Sequence, residues 1–376
     1  MHITEINTHL LFHKLEEPFQ SSFSVFKARY HCVVEIVCDN GLIGWGECLG
    51  PADINAAVVK SMSSMIIGCN PLDIEPIWLN VYNQYRDQGQ RGPIHTALSG
   101  IDIALWDIAG KHFDAPVYQL MGGAYRTSIP AYATGGFRPE GKNHAEHCAI
   151  EMAGYVKDGF DAVKIKIGYG IDSDLAAIKA VREAIGPGTS LMIDANHGYD
   201  AIDAVEIGRR SADYAIEWFE EPVVPEALSS YRTIRNSQPI PVAGGETWHG
   251  RWAIAEALNA GAVDILQPDV CGVGGLSEAR KIITLADTHH VRLVPHVWGT
   301  AVALAAGLHF HAIIPPSPPA HEARQARLEF DRTNNPFRQA IVTNPIEHVD
   351  GVVQVPDGPG LGININRGAL EQFAPK

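Results

Sequence analysis

Hydrophobic and polar positions divide the chain near residue 127. Residues 3–12 alternate as a half-buried strand does. Residues 32–37 and 42–47 are apolar runs on either side of Asp39, Asn40 and Gly41, a pattern that predicts a β-hairpin. Residues 13–30 are polar and aromatic without a period, so a mobile loop is expected there. It would carry Phe19, Phe23 and Phe26 either over a ligand or onto the neighbouring sheet. Residues 53–86 and 93–112 read as helices, and in the second Ala97, Ile101, Leu105 and Ile108 recur at helical spacing. Residues 1–127 therefore predict a small α+β capping domain.

Beyond residue 128 the pattern becomes a strict alternation. Short β-rich runs fall near 130–134, 162–167, 190–195, 215–220, 241–246, 264–269, 292–297 and 327–330, with helical stretches between them. This predicts an α/β fold in which residues 128–345 form a modified (β/α)8 barrel of (β/α)7β type. An open doubly wound sheet fits the same alternation, but no G-x-G-x-x-G follows the first strand. Residues 346–376 return to Gly and Pro turns with short strands and are expected to fold back on the capping domain.

Composition narrows the function. A chain of 376 residues is long enough for two domains and a large core. A formal net charge of -14 argues against nucleic acid or an anionic membrane as partner. The six cysteines lack C-x-x-C spacing, which predicts reduced thiols. The start, Met1, His2, Ile3, has no basic or apolar leader, and a cytoplasmic enzyme acting on a small molecule is expected.

The candidate chemistry lies at the ends of the predicted barrel strands, where such barrels carry their active sites. Lys164 and Lys166 are two apart on one strand and so point the same way. Their mutual repulsion predicts a lowered pKa for at least one, suiting it to act as a base. Asp194, Glu220 and Glu246 follow at intervals of 26 residues, about one β/α unit. Three converging carboxylates call for a hard cation, Mg²⁺ first and Mn²⁺ second. Asp269 and His296 end consecutive strands and predict a carboxylate–histidine acid/base pair; Glu329 ends the last. A lysine, a His–Asp pair and a metal together suit removal of a proton α to a carboxylate. Asn196, His197, Tyr199 and Trp298 lie just past site strands and, with Phe19 and Phe23, are candidate substrate contacts. His309 and His311 fall inside a predicted helix and are expected to be structural or surface residues.

These residues resemble the mandelate racemase subgroup of the enolase superfamily. The likeness runs the whole length: segment 97–123, the Lys164/Lys166 pair, Asp194, Glu220 to Pro222, Gly245 and Glu246, Gln267 to Asp269, His296, Glu329, and Pro359 to Gly362. The superfamily's Lys or His base with Mg²⁺ is a known pattern. The resemblance implies Asp194, Glu220 and Glu246 as metal ligands, and Lys164, Lys166, Asp269, His296 and Glu329 as catalytic residues. A homo-oligomer is expected. Segments 45–50, 87–92, 192–199, 220–226, 245–250, 295–300 and 329–333 are similar to those of galactarolactone cycloisomerases. That likeness implies a sugar-acid lactone as substrate. Open alternatives are an acid-sugar dehydratase, an anhydro-sugar-acid cycloisomerase, a racemase or epimerase of a 2-hydroxy acid, and a catalytically silent ligand-binding barrel.

Overall fold

The computed structural model describes residues 1–375. The capping domain begins with a long antiparallel hairpin, β1 (Ile3–Gln20) and β2 (Val25–Cys38), extended by β3 (Ile43–Cys48). Helices α1 (Ala52–Met62), α2 (Ile74–Tyr85), α3 (Pro93–His112) and α4 (Val117–Leu120) follow. Gly44 and Gly46 let β3 lie against α3: a Cβ at Gly46 would stand 1.9 Å from the Gly100 carbonyl oxygen.

The loop expected at 13–30 is not a loop. Strand β1 runs to Gln20 and β2 starts at Val25, leaving a tip of four residues, 21–24. The aromatic residues hid the pattern because they pack on one another and not alternately in and out: Phe19 stacks on Phe26 at 5.2 Å and meets Phe137 at 4.6 Å. The helix expected over 53–86 is interrupted between Met65 and Ile74, where Gly68 has φ of +88°.

The barrel strands are β4 (Ser128–Thr134), β6 (Ala162–Lys166), β7 (Ser190–Asp194), β8 (Ile216–Glu220), β9 (Val242–Gly244), β10 (Ile265–Leu266), β11 (Arg292–Leu293) and β12 (Leu328–Asp331). The short β5 (Arg138–Pro139) leaves this row and pairs with β1 in the capping sheet. Pairing is parallel from β12 through β4 to β11. Between the strands run α5 (His144–Lys157), α6 (Ile171–Ile185), α7 (Ala201–Arg210), α8 (Leu228–Ser237), α9 (Gly250–Ala260), α10 (Gly275–Thr288) and α11 (Ala301–Ala312). Among the described residues no barrel helix follows β12, as (β/α)7β requires.

Between the barrel strands, Tyr132, Met192, Trp218, Ile265 and Val294 form a buried apolar plug, with Tyr132 edge-on to Trp218 at 5.4 Å. The tail adds β13 (His348–Val349), β14 (Val352–Gln354) and α12 (Arg367–Gln372). Strand β14 pairs with β4, and the Phe12 amide donates to the Phe373 carbonyl at 2.8 Å, so the tail touches both domains. No helix among the described residues is long and apolar enough to cross a membrane.

His309 and His311 are fully buried in α11. Burial holds His309 down at about 4 and His311 at about 3, so both stay neutral in the fold. Below pH ~6.5 the unfolded chain gains protons that the native state refuses, so stability is present above that pH and is lost as pH falls. Between pH 7.5 and 5 each histidine should cost about 2 kcal/mol. Urea denaturation at the two pH values should show the fall, and His311→Leu should reduce it.

Candidate active site

Asp194 and Glu220 are the final residues of β7 and β8 and are register partners. Both strands stop abruptly. Asn196, His197 and Glu221 take the left-handed region, with φ of +40°, +69° and +42°. The His197 amide donates to the Glu221 carbonyl at 2.8 Å, tying these two turns together. Glu246 follows β9, Asp269 follows β10 and His296 follows β11, so the polar residues ring one end of the barrel.

Lysines thread this ring of acids. Lys164, fully buried, has Nζ 2.5 Å from Glu220, 2.8 Å from Glu329 and 3.8 Å from Asp194. Lys166 pairs with Asp194. The second Glu220 oxygen accepts from Trp218 Nε1 at 2.9 Å and Gln267 Nε2 at 2.8 Å. Glu329 also accepts from the Thr134 hydroxyl at 2.7 Å and the Val297 amide at 3.3 Å. Asp269 holds His296 Nδ1 at 2.6 Å, and His296 Nε2 lies 3.4 Å from Glu246. Among the described residues no three His, Cys, Asp or Glu side chains are arranged to hold a metal ion as they stand. Asp194 and Glu220 are turned to lysines, and Glu246 is turned to His296.

The crowding shifts protonation. Burial, the largest single influence, would lower the Lys166 pKa, and Lys164 adds repulsion, but Asp194, Glu220 and Glu246 together outweigh both and the pKa sits above the ordinary lysine value. This reverses the expected lowering, because more acids than lysines face each ammonium. Lys164 is also raised: Glu220 and Glu329 overcome its desolvation. His296 is buried, yet Glu246, Glu329 and Asp269 lift it to about 10, so it carries a proton. Burial, then the charges of Glu246, Asp194 and Glu220, push the Glu221 carboxyl well up. Even with Glu221 left out, the acids Asp194, Glu220, Glu246, Asp269 and Glu329 outnumber the cations Lys164, Lys166 and His296 among them, so the balance of the cluster is acidic.

Lys166, Glu246 and His296 line one cavity of about 470 Å³ under the capping domain. Of the predicted substrate contacts, Asn196, Phe23 and Trp298 line it. The other three are placed elsewhere. Tyr199 is buried and its hydroxyl donates to Asp174 at 2.5 Å. His197 sits between Val223 O and Glu221, at 3.3 Å from each. Phe19 packs on Phe26 and Phe137. Sequence reasoning missed the capping-domain wall, including His31 and Thr96. Their only signal was membership of a strand and a helix start whose contact with the barrel is not local.

Residues 5–122 match the mandelate racemase / muconate lactonizing enzyme N-terminal domain, and residues 147–369 match the enolase C-terminal domain-like family. The chain is 58% identical over 373 residues to a D-galactarolactone cycloisomerase of Agrobacterium fabrum, covering 99% of both chains. It superposes on the 3,6-anhydro-D-galactonate cycloisomerase of Zobellia galactanivorans with a TM-score of 0.90 at 36% identity, covering 100% of each. A racemase from Streptomyces coelicolor with bound magnesium gives a TM-score of 0.87 at 26% identity, with 99% of this chain and 100% of that one covered.

Removing the central cation should expose the cost of the acid cluster. Lys164→Met leaves Glu220 and Glu329 buried without their ammonium and should destabilise the protein by about 3–5 kcal/mol. Glu329→Gln in the same background should restore part of that in urea denaturation.

Proposed function

The chain belongs to the mandelate racemase / muconate lactonizing enzyme family of the enolase superfamily, and from that premise we propose that it is a cycloisomerase that opens a sugar-acid lactone of the galactaro-1,4-lactone type. One observation carries the reading. A lysine and a histidine reach a single cavity from separate parts of the barrel ring: Lys166 from β6, and His296 from beyond β11.

The donor set fits a divalent cation. Asp194, Glu220 and Glu246 offer only oxygen, come from three adjacent strands, and sit in an excess of negative charge that their lysines do not cancel. These three residues would hold Mg²⁺. When bound, it supplies positive charge for the substrate carboxylate and weakens the acids' hold on Lys166, bringing that lysine toward the range of a base.

The chain's own groups do the rest. Lys166, as the free amine, takes the proton from the carbon α to the substrate carboxylate. The ring C–O bond at the neighbouring carbon breaks, and its electron pair leaves with the lactone carboxylate. The resulting enol collapses to the ketone, its hydroxyl proton passing to solvent, while His296 donates its proton to the carbon that lost oxygen. Asp269 holds the imidazole at Nδ1, so Nε2 is the nitrogen that delivers it. The product is a 2-keto-3-deoxy dicarboxylic acid, isomeric with the substrate. Expulsion of a carboxylate needs no separate acid, which suits a site with one base and one proton donor. An anhydro-sugar acid, in which the bond broken is an ether C–O and the departing alkoxide oxygen takes up the proton that the enol hydroxyl releases, is the second reading, supported by the likeness to the Zobellia galactanivorans enzyme. A cytoplasmic setting accords with six unpaired cysteines.

The test is proton NMR in D₂O with Mg²⁺ and galactaro-1,4-lactone, with an open-chain hexarate and an anhydro-sugar acid in parallel. The expected result is a keto-deoxy product from the lactone, with deuterium at the new methylene, abolished by EDTA. Lys166→Ala and His296→Asn should each lower kcat by about 10²–10⁴-fold. Product from the open-chain acid alone would make the enzyme a dehydratase, and exchange without elimination an epimerase.

A further inference from the structure

The capping domain closes the cavity opposite the strand ends, and most of its polar atoms there are already engaged. The Tyr30 hydroxyl donates to Asp53 at 2.5 Å, and the Thr96 hydroxyl donates to Asn55 Oδ1 at 2.5 Å. Ser21 Oγ accepts from the Ser24 amide at 3.3 Å. His31 differs. It lies on β2, lines the cavity, and its side chain remains 11% exposed. Its Nδ1 is 3.1 Å from Glu47 Oε1, which leaves Nε2 as the ring nitrogen that can meet a ligand.

Glu47 is not a casual partner. Its register partner on β2 is Val33, two residues from His31, so the two side chains share a sheet face. The carboxylate is 1% exposed. It accepts from the Thr300 amide at 3.0 Å, the Thr300 hydroxyl at 2.6 Å and the Ala303 amide at 2.9 Å. These donors open helix α11, which follows directly after His296 and Trp298. One carboxylate thus binds the capping sheet to the barrel and fixes a cavity-lining imidazole on the way. Phe337 packs edge-on against that ring at 5.7 Å and limits its rotation. The pairing of an imidazole with a buried carboxylate parallels that of His296 with Asp269, at a longer separation of 3.1 Å against 2.6 Å.

We propose that His31, held by Glu47, hydrogen-bonds the sugar acid at the end remote from its reacting carboxylate. His31 is thereby a specificity-determining contact, and Glu47 a positioning residue. The proposal rests on the sugar-acid reading above. Lys166, Glu246 and His296 engage the reacting end, so a six-carbon acid must extend toward the capping wall. Its far oxygens there need a polar partner that is rigid and still has a free nitrogen. A fixed ring discriminates among sugar acids because a misplaced hydroxyl leaves the imidazole unpaired.

The experiment is calorimetric titration of the protein with galactarate in Mg²⁺ buffer, alongside thermal denaturation, for the parent, His31→Asn and His31→Gln. Glu47 keeps its contacts to α11 in both variants, so the fold should hold. The expected result is an unchanged Tm and roughly tenfold or weaker galactarate binding, the worth of about one hydrogen bond. Galactarate bound as tightly by both variants as by the parent overturns the contact alone. Affinity and Tm falling together in both variants assign His31 a purely structural role and also overturn it. No galactarate binding by the parent overturns this contact, whereas the lactone reading stands or falls separately on the NMR experiment above.

Discussion

Lys164 is the pivot of the molecule. Its ammonium sits at zero exposure between Glu220 and Glu329, above the aromatic plug, with Nζ 5.4 Å from the Tyr132 ring centre. Buried acids tolerate one another only when cations stand among them, and this one touches strands on both sides of β6. Glu329, paired in this way, is held far below the usual carboxylate range despite its burial. The cluster remains short of positive charge even so. That shortage accounts for the proton that His296 retains, and under the proposed function it would favour a divalent cation at the barrel end.

A charged barrel end becomes a reaction chamber only when covered, and several of the polar contacts that attach the cover lie close to the site. Ser22, at the hairpin tip, donates to the Ala195 and Asn196 carbonyls at 2.7 and 2.8 Å, directly beyond Asp194. Arg29 reaches Asp331 at the end of β12 and lies over Trp298 at 4.3 Å. Glu47 joins β3 to the start of α11. Each of these three contacts ends beside a residue of the site, so the strand ends that carry the chemistry also help to position the capping domain, together with the contacts of α2 and α3 to the start of α10.

Much of this was legible in the sequence, for a physical reason. Barrel strands are short, buried on both faces and evenly spaced, so Asp194, Glu220, Glu246, Asp269 and His296 could be placed from period and strand ends alone. Three kinds of feature were not legible. The hairpin over 13–30 hid because its aromatic residues pack on each other across the strands. The protonation of Lys166 depends on how many acids surround it, and a pair of lysines seen alone predicts the opposite direction. The fate of Tyr199 and the role of Glu47 depend on partners 25 and 253 residues away, which no local pattern encodes.

The central claim is that the excess of acids at the barrel mouth exists to bind one divalent cation through Asp194, Glu220 and Glu246. The most direct measurement is calorimetric titration of EDTA-treated protein with Mg²⁺ in the absence of substrate. The account predicts one site per chain, with binding lost in Glu246→Gln while the variant stays folded. A folded parent that takes up no Mg²⁺, or a Glu246→Gln protein that binds it unchanged, would contradict it.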